Sequence, residues 1–114
     1  MNTMQLSPDG ITYRHRATVP SGQSEVVGLP VLRETDMSIR RMHTVQVWAQ
    51  PTSGGSALVE ATISDPSAVD AGTAVWEPWP AGDANAYASA TMRPLPTAMR
   101  CTATGGDVEW EVVV

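Results

Sequence analysis

The sequence predicts an all-β protein, a single β-sandwich of jelly-roll type with about eight strands and an extended N-terminal arm. Apolar and polar residues alternate in short segments, and clusters of Gly, Pro, Asp and Ser separate these segments at the spacing of a sandwich. Helical periodicity is nearly absent. Because 114 residues make one ordinary domain, we assign residues 1–10 to the arm and residues 11–114 to one sandwich domain.

The first half of the chain contains three predicted strands. Residues 11–19 alternate, with Tyr13, His15 and Val19 among the inward positions and the arginines facing out. Residues 24–33 are apolar but interrupted by Pro30, which is typical of a bent or edge strand. Residues 37–49 form the longest continuous candidate.

The middle of the chain combines the clearest strand with a short helix. In residues 56–64 the alternation directs four side chains inward: Ala57, Val59, Ala61 and Ile63. Asp65 is a good N-cap, a proline follows at the first helical position, and Gly72 ends the segment. This pattern predicts one or two helical turns.

The last third predicts four more strands. Residues 73–79 and 86–92 flank a predicted loop at 80–83, and residues 97–104 are expected to pair with residues 107–114 as a hairpin across two glycines. The final strand ends in three valines and is apolar on both faces. A free edge of this kind promotes aggregation, so we expect something to cover it.

Composition indicates a lean interior and excludes several partners. Val, Leu and Ile supply 21 of the 114 residues, Phe is absent, and Ala alone supplies 14. The net charge is −5 and all seven basic residues are Arg, which disfavours general binding to nucleic acid or to an anionic membrane face. No signal sequence or membrane span is recognisable, so we expect synthesis in the cytoplasm.

No constellation of an enzyme or of a metal site is recognisable. The two histidines, His15 and His43, lie in no catalytic or metal-binding motif, and the single Cys101 falls on an inward position. Glu109 and Glu111 share one strand face, which is typical of a solvated exterior rather than of a glycosidase pair. We therefore predict no enzymatic activity, no cofactor and no metal.

The four tryptophans are the sharpest local signal. Alternation places Trp76 and Trp110 in the core and leaves Trp48 and Trp79 half-buried, as candidates for a rim or an interface. Apolar anchors of the arm, an arginine pair and the last two valines complete the predicted interface residues: Met4, Leu6, Arg40, Arg41, Trp48, Trp79, Val113 and Val114.

The second half of the chain resembles a known group of proteins, and this resemblance implies a function. The segments Gly72-Thr73-Ala74-Val75-Trp76, Trp79-Pro80-Ala81-Gly82 and the run from Pro96 to Gly106 resemble small β-sandwich accessory proteins of tailed-bacteriophage virions. The resemblance covers residues 57–114 and implies a capsid decoration or cement protein on the virion surface. Its expected partners are the major capsid protein and further copies of the same chain.

Physical reasoning agrees with this expectation and leaves two alternatives. A lean core suits a protein whose stability is completed on assembly, and the arm would order on a neighbour by strand addition. A tail or fibre component could use the same sandwich. A carbohydrate-binding module would instead use Trp79, Trp48 or Tyr87 as a stacking platform.

Overall fold

Two five-stranded sheets lie against each other and enclose one apolar core. The structure, a computed structural model, describes residues 2–9, 12–30, 44–92 and 95–114. Over these residues the chain forms strands and one short helix, so the predicted all-β class is confirmed. Strands are numbered β1 to β10 along the chain.

The first sheet is antiparallel except at one edge, where its outermost strand runs parallel to its neighbour. Across the sheet, the order is β1 (Asn2–Thr3), β4 (Ser24–Gly28), β9 (Ala98–Thr104), β6 (Ser56–Thr62) and β7 (Glu77–Ala84).

The second sheet is antiparallel throughout. Across the sheet, the order is β2 (Gln5–Leu6), β3 (Tyr13–Val19), β10 (Val108–Val113), β5 (Val45–Pro51) and β8 (Ala88–Met92). The C-terminal strand β10 therefore lies in the middle of a sheet. The expectation that something covers this strand is confirmed, because β3 and β5 of the same chain pair with its two sides.

From β3 onward, consecutive strands lie in opposite sheets, except for β6 and β7. The predicted hairpin between the last two strands is therefore wrong, since β9 and β10 belong to different sheets. A two-residue type I′ hairpin needs positive φ at both central residues, whereas only Gly105 has it, at 74°. A Cβ on Gly106 would lie 2.3 Å from Thr52 Oγ1. The glycine therefore allows the connection between β9 and β10 to pack closely against the connection between β5 and β6.

The predicted N-terminal arm is not confirmed. Thr3 pairs with Gly28 of the first sheet, and Leu6 pairs with Tyr13 of the second. Between these short strands Met4 is only 7% exposed, and its backbone N–H donates to the carbonyl of Gly28. The N-terminal segment thus closes one open side of the sandwich of its own chain.

The core is built from alternating positions of both sheets. Trp110, Val112, Val47 and Val59 are buried, and the outward neighbours on the same strands are more exposed. Alternation in β3 follows the prediction, with Arg14 and Arg16 exposed. At the end of β6 it fails: Ile63 is 83% exposed, and Thr62 is buried instead.

The predicted helical turn is present as α1 (Pro66–Ala71). The Asp65 carboxylate accepts from the backbone N–H groups of Ser67 and Ala68, and Gly72 ends the helix with φ 76° in the left-handed region. Hydrogen bonds from the Ser67 hydroxyl and these amides hold the pKa of Asp65 below its usual value.

A bulge in β7 buries Trp79, which was predicted to be half-buried. Pro78 pairs with Glu60 and Asp83 pairs with Leu58, so residues 79–82 face a single residue of β6. The bulge turns Trp79 into the core, where it is 2% exposed and its indole N–H donates to the Gly82 carbonyl at 2.6 Å. The predicted loop at 80–83 is this bulge.

Trp76 precedes β7 and lies outside the core. It is half-buried, and the guanidinium of Arg100 stacks 4.4 Å from its ring centroid. The same guanidinium donates to Glu60 at 2.8 Å and 3.1 Å. The prediction that Trp76 lies inside was wrong, because β7 begins at Glu77, directly after Trp76. The alternation of a strand therefore does not apply to Trp76.

Met99 tests the position of the core. It is fully buried in β9, so Met99→Ala should lower the free energy of unfolding by about 2–5 kcal/mol through lost burial and a residual cavity. The exposed Thr104 at the end of the same strand is the control. Thr104→Ala should change the free energy of unfolding by less than about 0.5 kcal/mol. Urea denaturation measures both values. Equal effects would contradict the described core.

Candidate functional site

The outer face of the second sheet carries a row of functional side chains across four strands. Glu111 of β10 pairs with Arg16 of β3 on one side and with Trp48 of β5 on the other. Trp48 pairs in turn with Ser89 of β8. Residues paired across neighbouring strands point to the same face, so this register collects one cation, one anion, one aromatic ring and one hydroxyl.

A second aromatic ring, from Tyr87 just before β8, lies beside this row. The rings of Trp48 and Tyr87 are stacked, with an angle of 28° between their planes and 6.0 Å between their centroids. Tyr87 is 59% exposed, whereas Trp48 is half-buried. The Trp48 indole N–H donates to Glu111 Oε1 at 3.0 Å, which holds the indole in one orientation on the sheet.

Both arginines described on this face, Arg14 and Arg16, have a carboxylate partner. Arg16 Nε donates to Glu109 Oε1 at 2.7 Å, its Nη2 contacts the same oxygen, and its guanidinium lies 5.2 Å from the Trp48 ring centroid. Arg14 Nη1 lies 3.5 Å from Glu111 Oε2. The hydrogen bond with Glu109 raises the pKa of Arg16 above its usual value, so Arg16 is charged at neutral pH.

These side chains border an open groove of about 520 Å³ on the sheet surface, here called the aromatic groove. Its lining combines the two rings with amide, hydroxyl and charged groups: Trp48, Tyr87, Gln46, Ser89, Thr91, Arg14 and Glu111. Its volume falls in the range of small-ligand sites, and a few polar groups beside aromatic surface are typical of them. Chemically, the groove can stack a ring and exchange hydrogen bonds with hydroxyl groups.

A second surface, here called the apolar end, lies where β6 stops and β7 begins. Ile63 and Val75 are 83% and 72% exposed. Hydrogen bonds join the two segments: the Thr62 hydroxyl donates to the Val75 carbonyl at 2.7 Å, and the Val75 N–H donates to Ser64 Oγ at 3.0 Å. A groove of about 410 Å³ borders Ile63, with Met92 and three prolines in its lining.

A partly exposed polar cluster joins the two sheets. Glu25 of β4 accepts from the Trp110 indole N–H at 2.7 Å through Oε1, and His15 Nε2 donates to the same oxygen at 2.7 Å. The rings of His15 and Trp110 meet edge to face, with 5.9 Å between their centroids. His15 lies on the inward face that alternation predicted, and it is hydrogen-bonded at the junction of the two sheets.

Cys101 lies against this cluster and is fully buried. Burial and, secondarily, the negative charge of Glu25 raise the pKa of its thiol to about 12. The thiol is therefore protonated at neutral pH and behaves as a small apolar side chain, as the sequence predicted.

The predicted interface residues do not form one surface. Met4 and Trp79 are buried in the core of the chain, Leu6 is 53% exposed at a sheet edge, and Trp48 lies in the aromatic groove. Val113 lines the same groove, and Val114 packs partly against the core. Arg40 and Arg41 lie outside the described residues.

Sequence reasoning missed most of the aromatic groove. Alternation did place Arg14 and Arg16 outward, and Trp48 and Tyr87 were already candidates for stacking. No local signal showed that β5 lies between β8 and β10, and this order is what brings Glu111 beside Trp48. The exposed Ile63 was missed because alternation predicted it inside.

Comparison with known proteins assigns this chain to no group. No family model matches the sequence, and no curated protein matches it significantly. Over the described residues, no helix is long and apolar enough to cross a membrane. The same part of the chain holds no cluster of three His, Cys, Asp or Glu side chains that could bind a metal ion.

Glu25 tests the junction between the sheets. Glu25→Ala leaves the buried Trp110 indole N–H without its acceptor, so we expect a loss of about 1–3 kcal/mol in the free energy of unfolding. Glu25→Gln should lose less, since it retains a carbonyl acceptor. The exposed Glu77 is the control, and Glu77→Ala should change stability by less than about 0.5 kcal/mol in the same urea titration.

The reactivity of the Cys101 thiol tests the packing around that junction. With a thiol pKa of about 12, the folded protein should not react with 5,5′-dithiobis(2-nitrobenzoic acid) at pH 8 on a scale of minutes. One thiol per chain should react after denaturation, because the sequence contains one cysteine. The absorbance of the released thiolate measures both. Rapid reaction of the folded protein would contradict the described burial.

Proposed function

We propose that this protein is a non-enzymatic structural protein of a bacteriophage virion that decorates or cements the capsid. It would bind major capsid protein subunits and further copies of itself at the outer surface of the particle, after synthesis in the host cytoplasm. The observation that carries this proposal is the exposure of Ile63 and Val75 at the apolar end. The resemblance of residues 57–114 to virion accessory proteins supplies the identity of the partners.

The proposed sandwich is a jelly roll, and the strand order supports this assignment. Without the two N-terminal strands, one sheet has the order β3-β10-β5-β8 and the other has the order β4-β9-β6-β7. Such alternation between two four-stranded sheets corresponds to the two Greek keys of a jelly roll, an architecture used by viral capsid and lectin domains. The N-terminal strands extend each sheet by one short edge strand.

The apolar end has the properties of a surface that is covered on assembly. Large aliphatic side chains with more than two thirds of their surface in water gain free energy when a partner covers them. Ile63 lines a groove together with Met92, Pro78 and Pro80. Prolines cannot donate backbone hydrogen bonds, so a partner would meet an apolar surface with few backbone donors to satisfy.

Decoration does not require a strong single contact. Each copy would bury a modest area, and the contacts would sum over many copies on one particle. Cementing would follow if one copy touched two capsid subunits through different sides. The negative net charge of −5 limits nonspecific binding to nucleic acid inside the particle.

Charges introduced at the apolar end test this proposal. The double variant Ile63→Asp/Val75→Asp should reduce co-sedimentation with capsids of the phage that encodes this chain by about tenfold, because two carboxylates would lose hydration on docking. The control is Thr104→Asp, which adds a charge at the end of β9 that lies away from the apolar end. Capsid binding of this variant should match that of the parent protein. Urea denaturation checks that all variants fold.

The location of the chain in purified particles is the second part of the test. Mass spectrometry and cryo-electron microscopy of the virion should find many copies on the capsid lattice. Copies confined to the tail would replace decoration by the tail or fibre alternative. Undiminished capsid binding of the double variant, or absence of the chain from virions, would overturn the proposal.

A further inference from the structure

The two rings of the aromatic groove lie outside the surface that carries the proposed assembly function, and the two grooves adjoin at Thr91. The aromatic groove lies on the outer face of the second sheet, and neither Trp48 nor Tyr87 lines the groove of the apolar end. The proposed decoration role leaves its arrangement of rings and polar groups without an explanation. Exposed aromatic surface beside convergent polar groups is typical of a ligand site.

The open aromatic surface belongs mainly to Tyr87. Its ring is part of a residue that is 59% exposed, and the stacking on Trp48 holds it close to the sheet. Arg16 borders the Trp48 ring, and Glu111 accepts from the indole N–H, so Trp48 is fixed from two sides. A rigid ring with an open face can stack against a flat ligand without first losing conformational freedom.

The charges of the groove favour a neutral ligand. Arg14 and Arg16 could attract an anion, but Glu111 and Glu109 compensate them at close range. The Glu111 side chain is only 15% exposed. It therefore acts mainly by holding Arg14 and the Trp48 indole in place. A carboxylated or phosphorylated ligand would have to compete with these carboxylates for the guanidinium groups.

The remaining polar groups match hydroxyls. Gln46, Ser89 and Thr91 are exposed along the groove and together offer both donors and acceptors. A sugar ring presents hydroxyl groups at its edge and a face of C–H bonds that is apolar and weakly positive. That face complements the negative face of an aromatic ring. Glycans therefore fit both kinds of surface in this groove.

We propose that the aromatic groove is a binding site for neutral glycans, with one pyranose ring stacked on Tyr87 and hydroxyls of this and the next sugar units bonded to Ser89, Gln46 and Thr91. Trp48 is a positioning residue that orients Tyr87 and forms the floor of the site together with Glu111. This proposal does not depend on the proposed decoration function, because it uses a different face of the sandwich. A single site of this kind is weak, and many copies on one particle would add avidity.

Binding by the full chain tests the site. Isothermal titration calorimetry should use three neutral tetrasaccharides of gluco, manno and galacto configuration, with sialyllactose as the acidic probe. We expect at least one neutral probe to bind with a Kd of about 1 mM or lower, and sialyllactose to bind more weakly. Tyr87→Ala should weaken binding of that probe about tenfold, and Tyr87→Phe should largely retain it because the ring is kept.

Matched variants separate stacking from general effects of tryptophan loss. Trp48→Ala should also weaken binding, whereas Trp76→Ala should leave it unchanged, because Trp76 is half-buried under Arg100 and lies outside the groove lining. If Trp48→Ala does not fold, the comparison of Tyr87→Ala with Tyr87→Phe still tests whether the exposed ring binds the glycan. Ile63→Asp/Val75→Asp should bind glycan normally, so the failure of capsid docking and the failure of glycan binding are distinguishable.

Three results would overturn the proposal. They are absence of binding by the parent protein to every neutral probe at millimolar concentration, undiminished binding by Tyr87→Ala, and stronger binding of sialyllactose than of the neutral probes. The last result would indicate that the arginines, and not the rings, select the ligand.

Discussion

The buried indole N–H of Trp110 is the constraint around which the sandwich is arranged. Trp110 is the largest fully buried side chain of a core otherwise made mainly of valine and alanine, and its N–H needs an acceptor inside the protein. Glu25 provides it from the opposite sheet and accepts from His15 with the same oxygen. One carboxylate thus connects β4 with β3 and β10 and aligns the two sheets.

This alignment also determines the outer surface. In a strand, fixing one inward residue fixes the direction of its neighbours, and a slip by one residue would exchange the two faces. With Trp110 inside, Glu109 and Glu111 must point outward, and the register then places Glu111 between Arg16 and Trp48. The aromatic groove is therefore built mostly on paired strands, which hold side chains more accurately than loops do.

The two proposed surfaces divide the molecule by chemistry. The apolar end presents aliphatic side chains and prolines, which suit burial against a protein partner, whereas the aromatic groove presents rings with polar groups, which suit a hydroxylated ligand. Thr91 of β8 lines both grooves, so the surfaces adjoin there.

The sequence by itself determined what depends on neighbouring residues. The all-β class, the faces of β3, the capped helix and the inward Cys101 all follow from alternation or from capping chemistry, which act within a few residues. Only the tertiary structure decided which strands pair, because pairing joins residues far apart in the chain. The last two strands look locally like a hairpin, yet each belongs to a different sheet. Trp79 likewise lies in the core, against prediction, because a bulge in β7 overrides alternation, and Trp76 lies outside it because β7 begins only at Glu77.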